Sequence, residues 1–126
     1  MFIDKPGKPA ATKITKIGKN SATLSWESPK SDGGAEITNY VIEYRIEGGF
    51  KWVRIKDVVS DTKHTVKSLV EGNTYEFRVS AENKAGIGPA SDPTTPAKTE
   101  EKIGEENKSF LLRIFMMAII SIGSLL

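Results

Sequence analysis

Short stretches in which apolar and polar residues alternate run through much of this chain, and the clearest of them begins at Tyr75. Tyr75, Phe77, Val79 and Ala81 are apolar or aromatic, while the positions between them carry charged or hydroxyl side chains. Successive side chains of a strand point to opposite faces, so this stretch predicts an antiparallel strand with one buried face. Leu69 precedes Tyr75 at a spacing typical of a tyrosine corner, in which the phenol reaches upstream backbone while its ring joins the core.

Turn-forming residues separate the alternating stretches about every eight to twelve residues. Asp32-Gly33-Gly34 and Gly48-Gly49 are the clearest turns, since glycine tolerates positive φ. No helical period occurs before Thr99, and the pattern therefore predicts an all-β fold, a seven-stranded sandwich of two sheets. The strands predicted besides the one that begins at Tyr75 are Ala10–Ile17, Ser21–Trp26, Ile37–Ile46, Phe50–Val58, His64–Leu69 and Ser91–Ala97.

The inward positions of these strands predict the hydrophobic core. The chain has 126 residues and no cysteine. One domain of about 90 to 100 residues must therefore be stabilised by packing, without disulfides or thiolate-bound metal. The predicted core residues are Leu24, Trp26, Tyr40, Ile42, Tyr44, Leu69, Tyr75, Phe77 and Val79.

Residues that could carry chemistry are few. His64 is the only histidine, and without cysteines or a carboxylate cluster around it no metal site is expected. Gly86-Ile87-Gly88 lacks the following helix that a phosphate-binding loop requires, so it is interpreted as a turn. The net charge of +2 comes from interspersed signs, which argues against a face that binds nucleic acid. The sequence predicts no enzyme activity, no catalytic residue and no cofactor.

A short row of cations, Lys51, Arg54 and Lys56, lies in the predicted fourth strand. Charged side chains on an edge strand discourage pairing with a second sheet, and this interpretation is favoured. The alternative is a contact for an acidic partner, which makes these three cations candidate interaction residues.

Three motifs of the predicted strands occur together in this chain. They are the second-strand tryptophan in Thr23-Leu24-Ser25-Trp26, then Tyr40, and the corner from Leu69 to Tyr75 followed by Glu76-Phe77-Arg78-Val79. Over residues 6 to 98 the chain therefore resembles the fibronectin type III family. The absence of paired cysteines and the position of Trp26 count against an antibody-type domain.

Three further segments carry a narrower resemblance. They are Asp4-Lys5-Pro6-Gly7-Lys8-Pro9, then Pro29-Lys30-Ser31-Asp32-Gly33-Gly34 with Ile37 and Tyr40 following, and Glu82-Asn83-Lys84-Ala85-Gly86-Ile87-Gly88-Pro89. These segments are similar to modules of the giant muscle proteins of the titin, twitchin and projectin group. This resemblance implies a non-enzymatic structural and interaction module of the cytoplasmic sarcomere, which spaces its neighbours along a filament, binds myosin or other filament proteins, and resists force. Asn83 and Lys84, in the third segment, complete the candidate interaction surface.

The two ends of the chain differ in character from the predicted sandwich. Residues 1–9 are expected to form a Pro/Gly linker, residues 10–98 the fibronectin type III domain, and residues 99–109 a charged spacer. Residues 110–126 are mostly apolar, with Arg113 near their start. They are interpreted as a disordered or helical tail that comes from a misjoined or truncated coding sequence or lacks its partner. The alternative is a membrane segment, which would belong to a membrane-anchored adhesion or receptor protein.

Overall fold

The computed structural model of this chain describes residues 2–101 and 112–121. β1, β2 and β5 form one antiparallel sheet, while β4, β3, β6 and β7 follow one another in a five-stranded sheet in which β8 also pairs with β6. The predicted all-β fold of two sheets is therefore confirmed. The elements are β1 (Ala10–Ile17), β2 (Ala22–Glu27), β3 (Asn39–Ile46), β4 (Val53–Arg54), β5 (Lys63–Val66), β6 (Thr74–Asn83), β7 (Gly86–Ile87), β8 (Ala97–Lys98) and one helix, α1 (112–121).

The eighth strand arises because the last predicted strand is interrupted. β7 and β8 pair with the two ends of β6, and the segment between them contains three prolines, which have no N–H to donate. The segment stays beside β6 through Ser91 and Thr94. Their N–H groups donate to the carbonyls of Val79 and Phe77, both at 2.8 Å, and their hydroxyls accept from the N–H groups of the same two residues, at 3.0 and 3.1 Å.

Three predicted strands are shorter in the structure. β3 begins at Asn39, where the sequence predicts a start at Ile37. β4 has two residues, where the sequence predicts Phe50–Val58, and it lies at the edge of its sheet, where it pairs only with β3. β5 ends at Val66, before the predicted end at Leu69. Ser68 has a φ of +62°, which turns the chain towards the loop that precedes β6.

The core lies between the two sheets. Trp26 on β2 packs edge-on against Tyr40 on β3, with ring centroids 5.4 Å apart, and such pairs add about 0.5–1.5 kcal/mol to the effect of burial. Tyr44 is half-buried and packs against the core cluster. The other residues placed in the core by the sequence pattern are buried within it: Leu24, Trp26, Tyr40, Ile42, Leu69, Tyr75, Phe77 and Val79.

The predicted tyrosine corner is confirmed. The hydroxyl of Tyr75 accepts a hydrogen bond from the Val70 N–H at 2.9 Å. The same loop holds the end of the sandwich, since the Thr99 hydroxyl donates to the Val70 carbonyl at 2.6 Å and the Gly72 N–H donates to the Thr99 carbonyl at 2.9 Å. Thr99 is fully buried, so this residue, which the sequence assigns to the charged spacer, packs as part of the sandwich.

The segment before β1 lies in a slot between two loops. The Asp4 N–H donates to the Gly33 carbonyl at 2.8 Å. The side-chain amide of Asn83 donates to the carbonyls of Asp4 and Asp32 at 2.8 and 2.7 Å. The three segments that resemble muscle-protein modules therefore meet in one structural unit, the N-terminal slot, formed by residues 4–9, 31–34 and 83–88.

Two glycines allow the close approach of the chain in this slot. Gly33 has a φ of +77°, which side chains rarely tolerate, and a Cβ there would overlap the carbonyl oxygen of Asp4. A Cβ on Gly88 would overlap the carbonyl oxygen of Pro6. Glycine is thus required at both positions if the slot is to close on the segment.

Apolar side chains are exposed along the whole of α1. Leu112 and Met117, for example, expose 62% and 70% of their surface. No helix among residues 2–101 and 112–121 is long and apolar enough to cross a membrane. The rest of the predicted spacer and tail, residues 102–111 and 122–126, lies outside the described residues.

Candidate protein-interaction surface

Charged side chains pair across strands on the outer face of the five-stranded sheet. Strand register places Glu43 opposite Arg78, and Arg45 opposite Glu76. Arg78 donates through two nitrogens to the two carboxylate oxygens of Glu43, at 3.0 and 3.4 Å, and Arg45 donates to Glu76 at 3.4 Å. The carboxylates are 17% and 13% exposed, whereas the arginines are 31% and 28% exposed. This face therefore presents guanidinium groups to solvent more than it presents their carboxylate partners.

Trp52 packs against both of these guanidinium groups. The Cζ atoms of Arg45 and Arg78 lie 4.5 and 4.3 Å from the centroid of its ring. Each such contact contributes about 0.5–1 kcal/mol at an exposed site. Glu43 and Glu76 fix the two arginines, and the arginines in turn fix the indole. We call these five residues the Trp–Arg clamp.

Beside the clamp, the same face contains a shallow depression of about 440 Å³. Val41 and Ile87 contribute to its lining, and Val58 is exposed at its rim. Arg54 and Lys56 lie on its β4 side, and neither cation has an ion-pair partner within the described part of the chain. The depression thus combines apolar surface with two free positive charges.

Two carboxylates also border the depression, and both have partners. Asp57 Oδ2 lies 2.9 Å from His64 Nε2, and Glu82 accepts a hydrogen bond from the Asn39 amide at 3.0 Å. The described residues contain no group of three or more histidine or carboxylate side chains that could hold a metal ion.

The structure distributes the predicted interaction residues over different places. Arg54 and Lys56 lie together at the depression, and Lys51 is exposed next to Trp52 in the chain. Lys84 is exposed in the turn between β6 and β7, which is part of the N-terminal slot. Asn83 is only 3% exposed. Its amide holds the slot closed, so Asn83 does not belong to the interaction surface.

Sequence reasoning does not bring Trp52 and its two arginines together. The available signal is the charge at alternate, outward positions of β3 and β6. Alternation assigns these residues to the outer face, but it leaves open which residue of one strand lies opposite which residue of the next. The register that builds the clamp is set by the whole β3–β6 pair.

A family model described as "Fibronectin type III domain" matches residues 7–97 of the chain. Human myosin-binding protein C, cardiac-type, is 39% identical over 98 residues, which cover 75% of this chain and 8% of that protein. The human slow-type protein is 34% identical over 109 residues, which cover 86% of this chain and 9% of the relative. The chain thus spans less than a tenth of the length of these curated relatives.

Solved structures of muscle proteins are also similar to this chain. Domains A168–A170 of titin superpose with a TM-score of 0.75 at 37% identity, covering 79% of this chain and 34% of the titin chain. The twitchin kinase region from C. elegans superposes with a TM-score of 0.74 at 35% identity, covering 81% of this chain and 18% of the other.

Proposed function

Because the chain belongs to the fibronectin type III family, we propose that it is a non-enzymatic structural and protein-interaction module of a giant sarcomeric protein. Its similarity to single modules of myosin-binding protein C, titin and twitchin supports this role. Such a module spaces its neighbours along a filament in the cytoplasm, contributes to binding of the thick filament, and resists force. We divide the chain into the module, which is residues 4–99, a spacer, which is residues 100–109, and a tail, which is residues 110–126.

The observation that carries this proposal is the placement of the two ends of the module. Asp4 is held by Asn83, the last residue of β6, whereas Thr99 bonds to Asn73, just before the first residue of β6. β6 has ten residues, so at about 3.3 Å per residue the two ends are about 30 Å apart. Segments attached at the two ends would point away from each other, as the spacing of modules along a filament requires.

The same placement supports resistance to force. A pull that separates Asp4 from Thr99 acts along the strands and loads the backbone hydrogen bonds of β1 with β2 and of β8 with β6. Hydrogen bonds of an antiparallel pair are perpendicular to the strands, so a pull along the strands shears several of them together. Opening would then require the simultaneous loss of several bonds.

Myosin is the partner that we propose, since the two curated relatives described above are forms of myosin-binding protein C. The test is co-sedimentation of the 126-residue chain with purified myosin filaments. We expect saturable pelleting that weakens as ionic strength rises, because rim charges steer such contacts. The chain alone, spun at the same speed, measures pelleting by self-association through α1. Pelleting that never exceeds this background at low ionic strength would overturn the myosin part of the proposal.

A further inference from the structure

We propose that the outer face of the five-stranded sheet is a preformed docking site for an acidic segment of a partner protein. Carboxylates of the segment meet Arg54 and Lys56, and an apolar side chain beside them enters the depression over Val41, next to Trp52. This deepens the proposed function and rests on it, because it assigns the filament contact to one face of the module.

The first support is the rigidity of the Trp–Arg clamp. Tryptophan and arginine are the residue types most often found to dominate the energy of protein interfaces. Ordering flexible side chains opposes association. Arg45 and Arg78 are already fixed by Glu76 and Glu43, and both contact the ring of Trp52. A partner that covers this ring therefore causes little further loss of side-chain entropy, because these side chains are already ordered.

The second support is the difference in pairing among the charged groups of the face. The clamp is neutral, since two arginines pair with two glutamates. Arg54 and Lys56 add two positive charges without ion-pair partners among residues 2–101 and 112–121. Asp57 and Glu82 also border the depression but are bonded to His64 and Asn39. The lining thus carries two formal charges of each sign, and Arg54 and Lys56 are its two charged groups for which the described residues supply neither a hydrogen-bond nor an ion-pair partner.

The third support is the apolar surface next to these cations. Val58 is 83% exposed, and with Val41 and Ile87 it gives the depression an apolar component. Burying an apolar side chain there supplies affinity, while the two cations select carboxylates around it. An uncharged or basic segment would leave Arg54 and Lys56 desolvated without partners.

A pair of variants tests the location of the contact in myosin-filament co-sedimentation. R54E combined with K56E should weaken binding about tenfold or more, because attraction becomes repulsion. K13E combined with K16E makes the same change of net charge on β1, in the other sheet, where both lysines are exposed, and should leave binding within about twofold. If the parent chain binds and both pairs weaken binding equally, the contact is generic charge attraction and the docking site is wrong.

The clamp is tested in the same assay by W52A and F50A. Phe50 is 99% exposed in the turn before β4, so F50A removes an aromatic ring close to Trp52 without touching the clamp. W52A should weaken binding about tenfold, and F50A should have little effect. An F50A loss as large as that of W52A places the contact on the turn and overturns the proposal. Thermal melts check that each variant is folded.

A peptide experiment separates this proposal from the myosin assignment. The probe is a synthetic peptide of repeated Glu-Leu-Glu triplets, and the control replaces every Glu with Gln. Amide shifts of the ¹⁵N-labelled chain should change along β3, β4 and β6 with the acidic peptide and much less with the control. This result would stand even if the chain failed to bind myosin. No shift changes, or changes centred on β1 and β2, would overturn the docking site while leaving the module assignment intact.

Discussion

The two tryptophans of this module lie in opposite environments, one in the core and one on the outer surface. Trp26 is 5% exposed and packs against Tyr40 between the sheets, whereas Trp52 lies outside the sandwich against Arg45 and Arg78. Burial in the core stabilises the fold through apolar area, while the cation contacts of Trp52 fix the shape of a surface at little gain in stability. The side chains between the two sheets thus specify the fold, whereas the outer face of the five-stranded sheet carries an ordered arrangement of Trp52 and its two arginines that adds little to stability.

Replacing the inner tryptophan is the strongest test of this comparison. Trp26→Ala should lower the free energy of unfolding by about 3–5 kcal/mol through cavity formation, a large part of the about 5–15 kcal/mol typical of a domain. Urea denaturation measures the loss. The control is Trp26→Phe, because Trp26 Nε1 has no hydrogen-bond partner in the described structure; it should cost clearly less. A Trp26→Ala variant that melts within a few degrees of the parent would contradict the assigned core.

A smaller effect on the inner face is expected from the tyrosine corner. Tyr75→Phe keeps the buried ring but leaves the Val70 N–H without its acceptor, which should cost about 1–2 kcal/mol. Tyr44→Phe is the matched control, since no hydrogen bond of the Tyr44 hydroxyl occurs among the described residues. Equal urea midpoints for the two variants would show that the corner bond contributes no stability.

The same contrast explains what could be predicted from the sequence. Alternation predicts which side of a strand is buried, and the spacing of Leu69 and Tyr75 predicts the corner, because both depend on local geometry. The prolines between β7 and β8 can be seen in the sequence. That the hydroxyls of Ser91 and Thr94 accept hydrogen bonds from β6 depends on tertiary packing and cannot be seen there.

The outer face and the N-terminal slot were harder to predict for a related reason. The Trp–Arg clamp requires the register of β3 with β6, which a single strand pattern does not contain. In the slot, Asn83 binds the carbonyls of Asp4 and Asp32, residues far from it in the chain. The sequence shows these motifs separately, and only the fold brings them together.

Replacing the outer tryptophan should have a modest effect on stability. Trp52→Ala removes two cation contacts, and we expect a loss of about 1 kcal/mol in the free energy of unfolding, well below that of Trp26→Ala. Trp52→Phe keeps an aromatic ring over the arginines and should recover part of the loss. Should Trp52→Ala destabilise the module as much as Trp26→Ala, the distinction between a stabilising core and an outer face that adds little stability is wrong.

The smallest effect on stability is expected from removing α1. Its apolar side chains are exposed, so a chain that ends at Glu101 should keep the melting temperature of the 126-residue chain. Exposed apolar surface promotes association in water, and gel filtration should show a monomer only for the shorter chain. A chain that ends at Lys98 is the matched control, because it also loses the bonds of Thr99 to Val70 and Asn73 and should melt lower. If the chain ending at Glu101 melts as low as this control, α1 packs on the sandwich and stabilising contacts extend beyond its core.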